Sequence, residues 1–148
     1  MSTRILPSWH RLLGLSSQRP PWYRARLREE LAERREARTA LARLSETSDV
    51  FYTLGRARHD GYPLRRTPAF RLGHAPVYAY MLSKYTSRWI FYQAAAFLCG
   101  SARFRQVREV VNPARDVKLG QVASRHHLEP GEFVRVCRRL RRVWPLLP

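Results

Sequence analysis

Residues 132–147 constrain this chain more tightly than any other stretch. Wound at about 100° per residue, Phe133, Val136, Cys137, Leu140, Val143 and Trp144 gather on one side of a helix. Arg135, Arg138, Arg139 and Arg142 take the opposite side, with Arg141 on its shoulder. No acidic residue follows Glu132, so the sequence gives this cationic ridge no local counter-charge. A helix of this kind docks by its apolar side and offers the other to an anionic partner.

The rest of the chain supports a folded protein with an unusual charge. Its 148 residues suit one domain with a real core. An apolar fraction of 45% and 17 aromatic residues exclude a purely disordered tail. The net charge is +17, and residues 101–148 alone carry eleven basic residues against four acidic ones. A compact state this positive repels itself unless an anion absorbs the charge; nucleic acid is the commonest such partner, followed by anionic membrane surfaces. Lysine occurs only as Lys84 and Lys118, and every other cation is arginine. The guanidinium is planar, binds phosphate bidentately and stacks on bases, which suits contact with RNA or DNA. A GC-rich genome also raises arginine at lysine's expense, but it leaves the scarcity of acids unexplained.

Two cysteines far apart, Cys99 and Cys137, form no Cys-x-x-Cys pair and point to a reducing compartment. The most apolar segment, Val77 to Cys99, is interrupted by Lys84 and Arg88 and reads as a core helix, not a membrane span. Residues 1–21 form a basic N-terminal arm. Its Arg4, Arg11 and Arg19, its serines and the apolar set Ile5, Leu6, Trp9, Leu12 and Leu13 have the composition of an organellar transit peptide, which Pro7 weakens as a helix. An intracellular protein is expected, mitochondrial if this arm is a transit segment and otherwise nuclear or cytoplasmic.

Proline and glycine punctuate the remainder, residues 22–148, read as a single helical domain. After Pro20-Pro21, Trp22 to Leu44 is rich in helix formers and carries a thin apolar stripe of Leu27, Leu31, Leu41 and Leu44 with Ala37 between. Ser45 to Ser48 reads as a capping cluster opening a second helix, Asp49 to His59, that Asp60-Gly61 ends. Residues 61–76 form an irregular basic connector. Pro76 suits the first turn of a central helix running to Gly100. Ser101 is expected to cap the next helix, with Phe104, Val107, Val110 and Val111, until Asn112-Pro113 stops it. Two more helices follow. No segment alternates with the period of a strand, so the expectation is an all-α domain of about five or six helices, the central helix at its core.

Residues 116–140 resemble a helix-turn-helix motif. Val117, Leu119, Val122 and Ala123 would line the buried side of the first helix, with Ala123 at the small position where the second helix approaches closely. Leu128 fills the apolar slot of the turn, Phe133 the buried position of the second helix, and Pro130 its first turn. His127 stands where the family usually has glycine. Glu129 and Glu132 fall where DNA-reading helices approach bases and phosphates, so carboxylates there oppose the backbone charge. The same pattern also suits an ordinary antiparallel helix pair.

Other constellations point away from chemistry. Tyr78, Tyr80, Tyr85, Trp89, Phe91, Tyr92 and Phe97, interleaved with Lys84 and Arg88, could stack RNA bases, but their spacing is that of a core. Cys99, His126, His127 and Cys137 match no zinc spacing, and no metal or other cofactor is expected. His59-Asp60-Gly61 is turn chemistry, and phosphate loops, nucleophile elbows and paired metal-binding histidines are missing, so a non-enzyme is expected. The reading is a non-enzymatic, arginine-rich nucleic-acid-binding protein, RNA ahead of DNA, with an organellar ribonucleoprotein as the setting that would combine its charge, size and N-terminus. Arg135, Arg138, Arg139, Arg141 and Arg142 would carry the contact, supported by Arg103, Arg105 and Arg108. The alternatives are an adaptor for an acidic protein or an anionic membrane, with Trp144 and Leu146-Leu147 as anchor, and a helix-turn-helix DNA-binding regulator.

Overall fold

The structure, a computed structural model, describes residues 2–66 and 71–144, with the side chains of 2–4 left aside. It is all-α: α1 (Ser2–Leu13), α2 (Pro20–Glu36), α3 (Ala40–His59), α4 (Ala75–Leu98), α5 (Asp116–Arg125) and α6 (Pro130–Val143). Two 3₁₀ turns, Leu72–His74 and Phe104–Gln106, complete the regular elements, and the described residues contain no strand. Contacts group the chain into two compact units, Met1–Leu82 and Ser83–Pro148, and α4 runs from the first into the second. No described helix is long and apolar enough to cross a membrane.

In the first unit α2 and α3 pair as a helical hairpin. The sequence suggests one helix to Leu44 and a restart at Asp49; instead the break falls at residues 37–39. Thr39 makes the restart, its hydroxyl accepting from the Ala42 N–H at 3.1 Å. The supposed caps lie inside α3, where Thr47 donates to the Arg43 carbonyl at 2.5 Å and Ser48 to that of Ser45 at 2.6 Å. Hydroxyls bonded back along their own helix cost it little and cap nothing. The break also turns Leu41 out to solvent, and the α2 seam becomes Tyr23, Leu27 and Glu30.

α3 is the core of this unit, buried all round from Ser48 to Ala57. Against it α1 lays Trp9, His10 and Leu13, all buried. The approach is close at Gly55, where a Cβ would meet the His10 Nε2 at 3.1 Å. Burial holds the His10 imidazole neutral, its pKa lowered to about 3, with His59 and Arg56 acting in the same direction. A polar clamp ties the linker after α1 to α3. Arg56 pairs with Asp60 at 2.6 Å and donates to the carbonyls of Leu15 (2.6 Å) and Ser16 (2.9 Å); Tyr23 donates to Asp60 and accepts from the Gln18 N–H at 2.9 Å. As expected, Asp60-Gly61 closes α3: Gly61 sits at φ 85°, and Tyr62 N–H reaches back to the Ala57 carbonyl at 2.8 Å.

In the second unit Phe91, Tyr92, Ala95 and Ala96 of α4 pack with Leu119, Val122 and Ala123 of α5 and with Phe133 and Cys137 of α6. The central helix and the Phe133–Leu140–Trp144 face thus meet as the sequence suggests, Leu140 and Trp144 at the margin. α4 ends at Gly100 (φ 75°), where Ser101 N–H bonds the Ala96 carbonyl at 3.0 Å. Ser101 does not open a helix. Residues 101–115 make one 3₁₀ turn and otherwise run irregularly. Side chains replace the missing helical ladder: Tyr92 donates to the Val111 carbonyl at 3.1 Å and Gln93 to that of Val107 at 3.3 Å. The β-branched Val107, Val110 and Val111 are poor helix formers, and burying Val107 on the core prevails.

Candidate nucleic-acid interface

The α5–α6 pair builds the surface on which the sequence concentrates its charge. Leu119, Val122, Ala123 and Phe133 are buried and Leu128 is partly buried against them, while Val117 is exposed, contrary to its assignment to the buried side. At about 100° per residue Val117 falls on the face of α5 opposite Leu119, Val122 and Ala123. His127, where glycine was expected in the turn, adopts φ 55°. Histidine is among the few L residues that enter this left-handed region with some frequency, so the turn closes at a moderate cost. Pro130 takes the first turn of α6 as expected, and Glu129 is its N-cap. The Glu129 carboxylate accepts from the N–H groups of Gly131 (3.0 Å) and Glu132 (2.5 Å), and these bonds lower its pKa. Its charge is therefore directed to its own helix.

Along α6 the arginines divide into two sets. Asp116, at the start of α5, accepts from Arg138 through Nη2 (2.5 Å) and Nε (3.1 Å) and lies 3.6 Å from Arg141 Nη1. The Arg138 hydrogen bond holds the Asp116 carboxyl below its ordinary range. Arg141 also donates to the Pro113 carbonyl at 2.7 Å. The ridge that looked unneutralised in sequence thus has an acid brought to it by tertiary structure. Arg135, Arg139 and Arg142 form the second set. They are exposed, fall at i, i+4 and i+7, and make one stripe about 10 Å long. Arg139 and Arg142 make no hydrogen bond or ion pair among the described residues, and Arg135 sits near enough to Glu129 to lower its pKa. Val143, expected on the docking side, is exposed beside this stripe, because it lies roughly a quarter-turn from the Phe133–Cys137–Trp144 seam.

The supporting arginines lie on the irregular segment, not on a helix. Arg103, Arg105 and Arg108 are all exposed. Arg105 stacks over the Phe104 ring at 5.6 Å, while Arg103 lines an open cleft with Glu129 and Glu132. Arg125 is withdrawn into a bidentate pair with Glu109, both bonds 2.9 Å, which His126 joins at 3.1 Å. Arg115 and Lys118 are exposed cations flanking Asp116, outside the set picked from the sequence.

The remaining candidates resolve by burial. In the aromatic series Tyr78, Tyr85, Phe91 and Tyr92 are buried, Tyr80 and Trp89 are half-buried, and Phe97 alone is exposed. Lys84 and Arg88, expected between the aromatics, are buried too and flank the Tyr85 ring at 5.9 and 5.6 Å. Trp144 is half-buried, donates to Ser87 Oγ at 2.9 Å and stands edge-on to Phe91, so it caps the core; Leu146 and Leu147 lie outside the described residues. Cys137 is buried, its thiol pushed up to about 12. The described residues bring three carboxylates close together elsewhere, Glu30, Glu33 and Glu46 in the α2–α3 hairpin. No family model matches the chain, and neither a curated protein nor a solved structure matches it.

Proposed function

We propose that this chain is a non-enzymatic nucleic-acid-binding protein, RNA before DNA, that grips phosphates with the outer face of α6. One observation carries the reading: Arg135, Arg139 and Arg142 stand in a single exposed stripe on a helix whose other side is fixed in a core. A rigid helix fixes the spacing at which guanidinium groups are presented, and a row of them tracks a phosphate backbone without reading bases. Arg115 and Lys118 at the start of α5 add two further exposed cations to this unit. Glu129 and Glu132 at the start of α6 favour RNA, because a DNA-reading helix presents that end to bases and phosphates.

A salt titration of binding to fluorescent RNA strands, duplex RNA and duplex DNA tests this. Affinity should persist near ~0.15 M salt. Changing Arg135, Arg139 and Arg142 to alanine should flatten the log–log salt slope by about 2 on single strands and nearly 3 on duplexes. An unchanged slope would remove the ridge from the interface. A helix-turn-helix DNA reader is the second reading, favoured by the left-handed turn at His127. Selection from random DNA duplexes with no enriched site would eliminate it.

A further inference from the structure

We infer that Phe97 is a stacking platform for an unpaired base, so that the RNA this protein prefers is single-stranded. The inference rests on the nucleic-acid reading above and adds to it a surface that makes no use of the α6 ridge. Phe97 is 60% exposed near the end of α4, while the other aromatic side chains of that helix are buried or half-buried. An isolated exposed hydrophobe is unremarkable in itself. What distinguishes this one is its setting. The Phe97 ring meets Phe104 edge-on, with centroids 5.2 Å apart, and Arg105 lies over the Phe104 ring at 5.6 Å. The segment beneath is held to α4, since Gln93 donates to the Val107 carbonyl at 3.3 Å. The ring is therefore braced from one side and open on the other.

Its surroundings select the occupant. Arg105, over the Phe104 ring that Phe97 meets, sets a cation beside this apolar ring. Glu109 is engaged by Arg125 and His126, and Glu129 and Glu132, which lie near Cys99, share their cleft with Arg103. A flat apolar surface beside a guanidinium complements a nucleotide, whose base is a flat π-system and whose phosphate is an anion. Bases inside a duplex are already stacked on each other and cannot reach such a ring, whereas those of a single strand can. Charge complementarity thus argues for nucleic acid, and the aromatic ring for its unpaired form.

The experiment uses the full chain with Phe97→Ala, Phe97→Tyr and, as an aliphatic control of equal exposure next door, Leu98→Ala. Each is titrated against a short unstructured RNA strand, the same strand annealed to its complement, and a DNA strand of matching sequence. Phe97→Ala should weaken binding to the RNA strand roughly 5- to 150-fold, leave duplex RNA affinity unchanged and leave the salt slope intact, because no charge is lost. Phe97→Tyr should restore binding, and Leu98→Ala should resemble the parent. Equal loss on strand and duplex, or equal loss in Leu98→Ala, would each overturn the inference, whereas equally tight binding of the DNA strand would overturn only the preference for RNA. The two readings fail separately. If alanine at Arg135, Arg139 and Arg142 changes nothing while Phe97→Ala abolishes strand binding, the ridge falls and the platform stands. Normal ridge behaviour with an inert Phe97 gives the reverse, and no binding of any probe near ~0.15 M salt defeats both.

Discussion

Replacing Asp116 with asparagine should strengthen nucleic-acid binding and make it more salt-dependent. The carboxylate holds Arg138 through two hydrogen bonds, 2.5 and 3.1 Å, and lies 3.6 Å from Arg141. Asparagine keeps the size of the side chain but offers one neutral acceptor. Arg138, on the exposed side of α6, would then be available to a phosphate, whereas Arg141 keeps its bond to the Pro113 carbonyl at 2.7 Å. One further released counterion steepens the slope of log affinity against log salt by about 0.7 on a single strand and about 0.9 on a duplex. Between ~50 and ~200 mM salt, the advantage of Asp116→Asn over the parent should therefore shrink about threefold. Packing of α5 on α6 should survive, because Leu119, Val122 and Ala123 meet Phe133 and Cys137 without help from Asp116. The controls form a double-mutant cycle. Arg138→Ala alone should barely move the slope, since that charge is already neutralised, but in the Asp116→Asn background it should erase the gain. A variant with an unchanged or shallower slope would refute the claim that Arg138 faces the bound strand.

Two predictions concern stability. Glu30 is buried, and desolvation raises its pKa to about 7, against the pull of Arg26. The folded state therefore holds this proton up to a higher pH than the unfolded chain. The sign follows: stability falls as pH rises from near 4.5 through 7, and the penalty is fully present above that. Glu30→Gln should stabilise the protein by on the order of 2 kcal/mol at alkaline pH and by little in acid, measured by urea denaturation; a gain independent of pH would show that Glu30 is not the group titrating. At the α5–α6 turn, His127→Gly should be neutral or stabilising by up to about 1 kcal/mol, whereas His127→Val should destabilise, because a β-branched residue resists a left-handed φ. Thermal melts that ranked valine above glycine would contradict the turn geometry.

What could be read in the sequence was whatever is decided within a few residues. Helical periodicity and the absence of alternation determined the all-α class. Asp60-Gly61 and Gly100 marked helix ends because glycine alone enters their conformation without strain. The opposed arginine and apolar faces of α6 followed from 3.6 residues per turn. Local rules misled where two local options were close in energy. Ser45 to Ser48 looked like caps, yet the Thr47 and Ser48 hydroxyls bond back into α3 while Thr39 makes the cap. Residues 101–115 had a helical spacing of valines, but burial of Val107 and bonds from Tyr92 and Gln93 hold them irregular.

Tertiary structure alone decided which charges remain available. Asp116 neutralises Arg138 from 22 positions away, and Arg56 reaches the linker carbonyls of Leu15 and Ser16 across about 40. Residues so far apart in the chain share no local period, so no pattern announces their pairing. Phe97 lies about 140° around α4 from buried Tyr92, so the helical period separates the two, but only the position of the neighbouring elements decided which face is covered. The sequence thus determined that a cationic helix exists, and the packing around it determined that Arg135, Arg139 and Arg142 are the charges it presents.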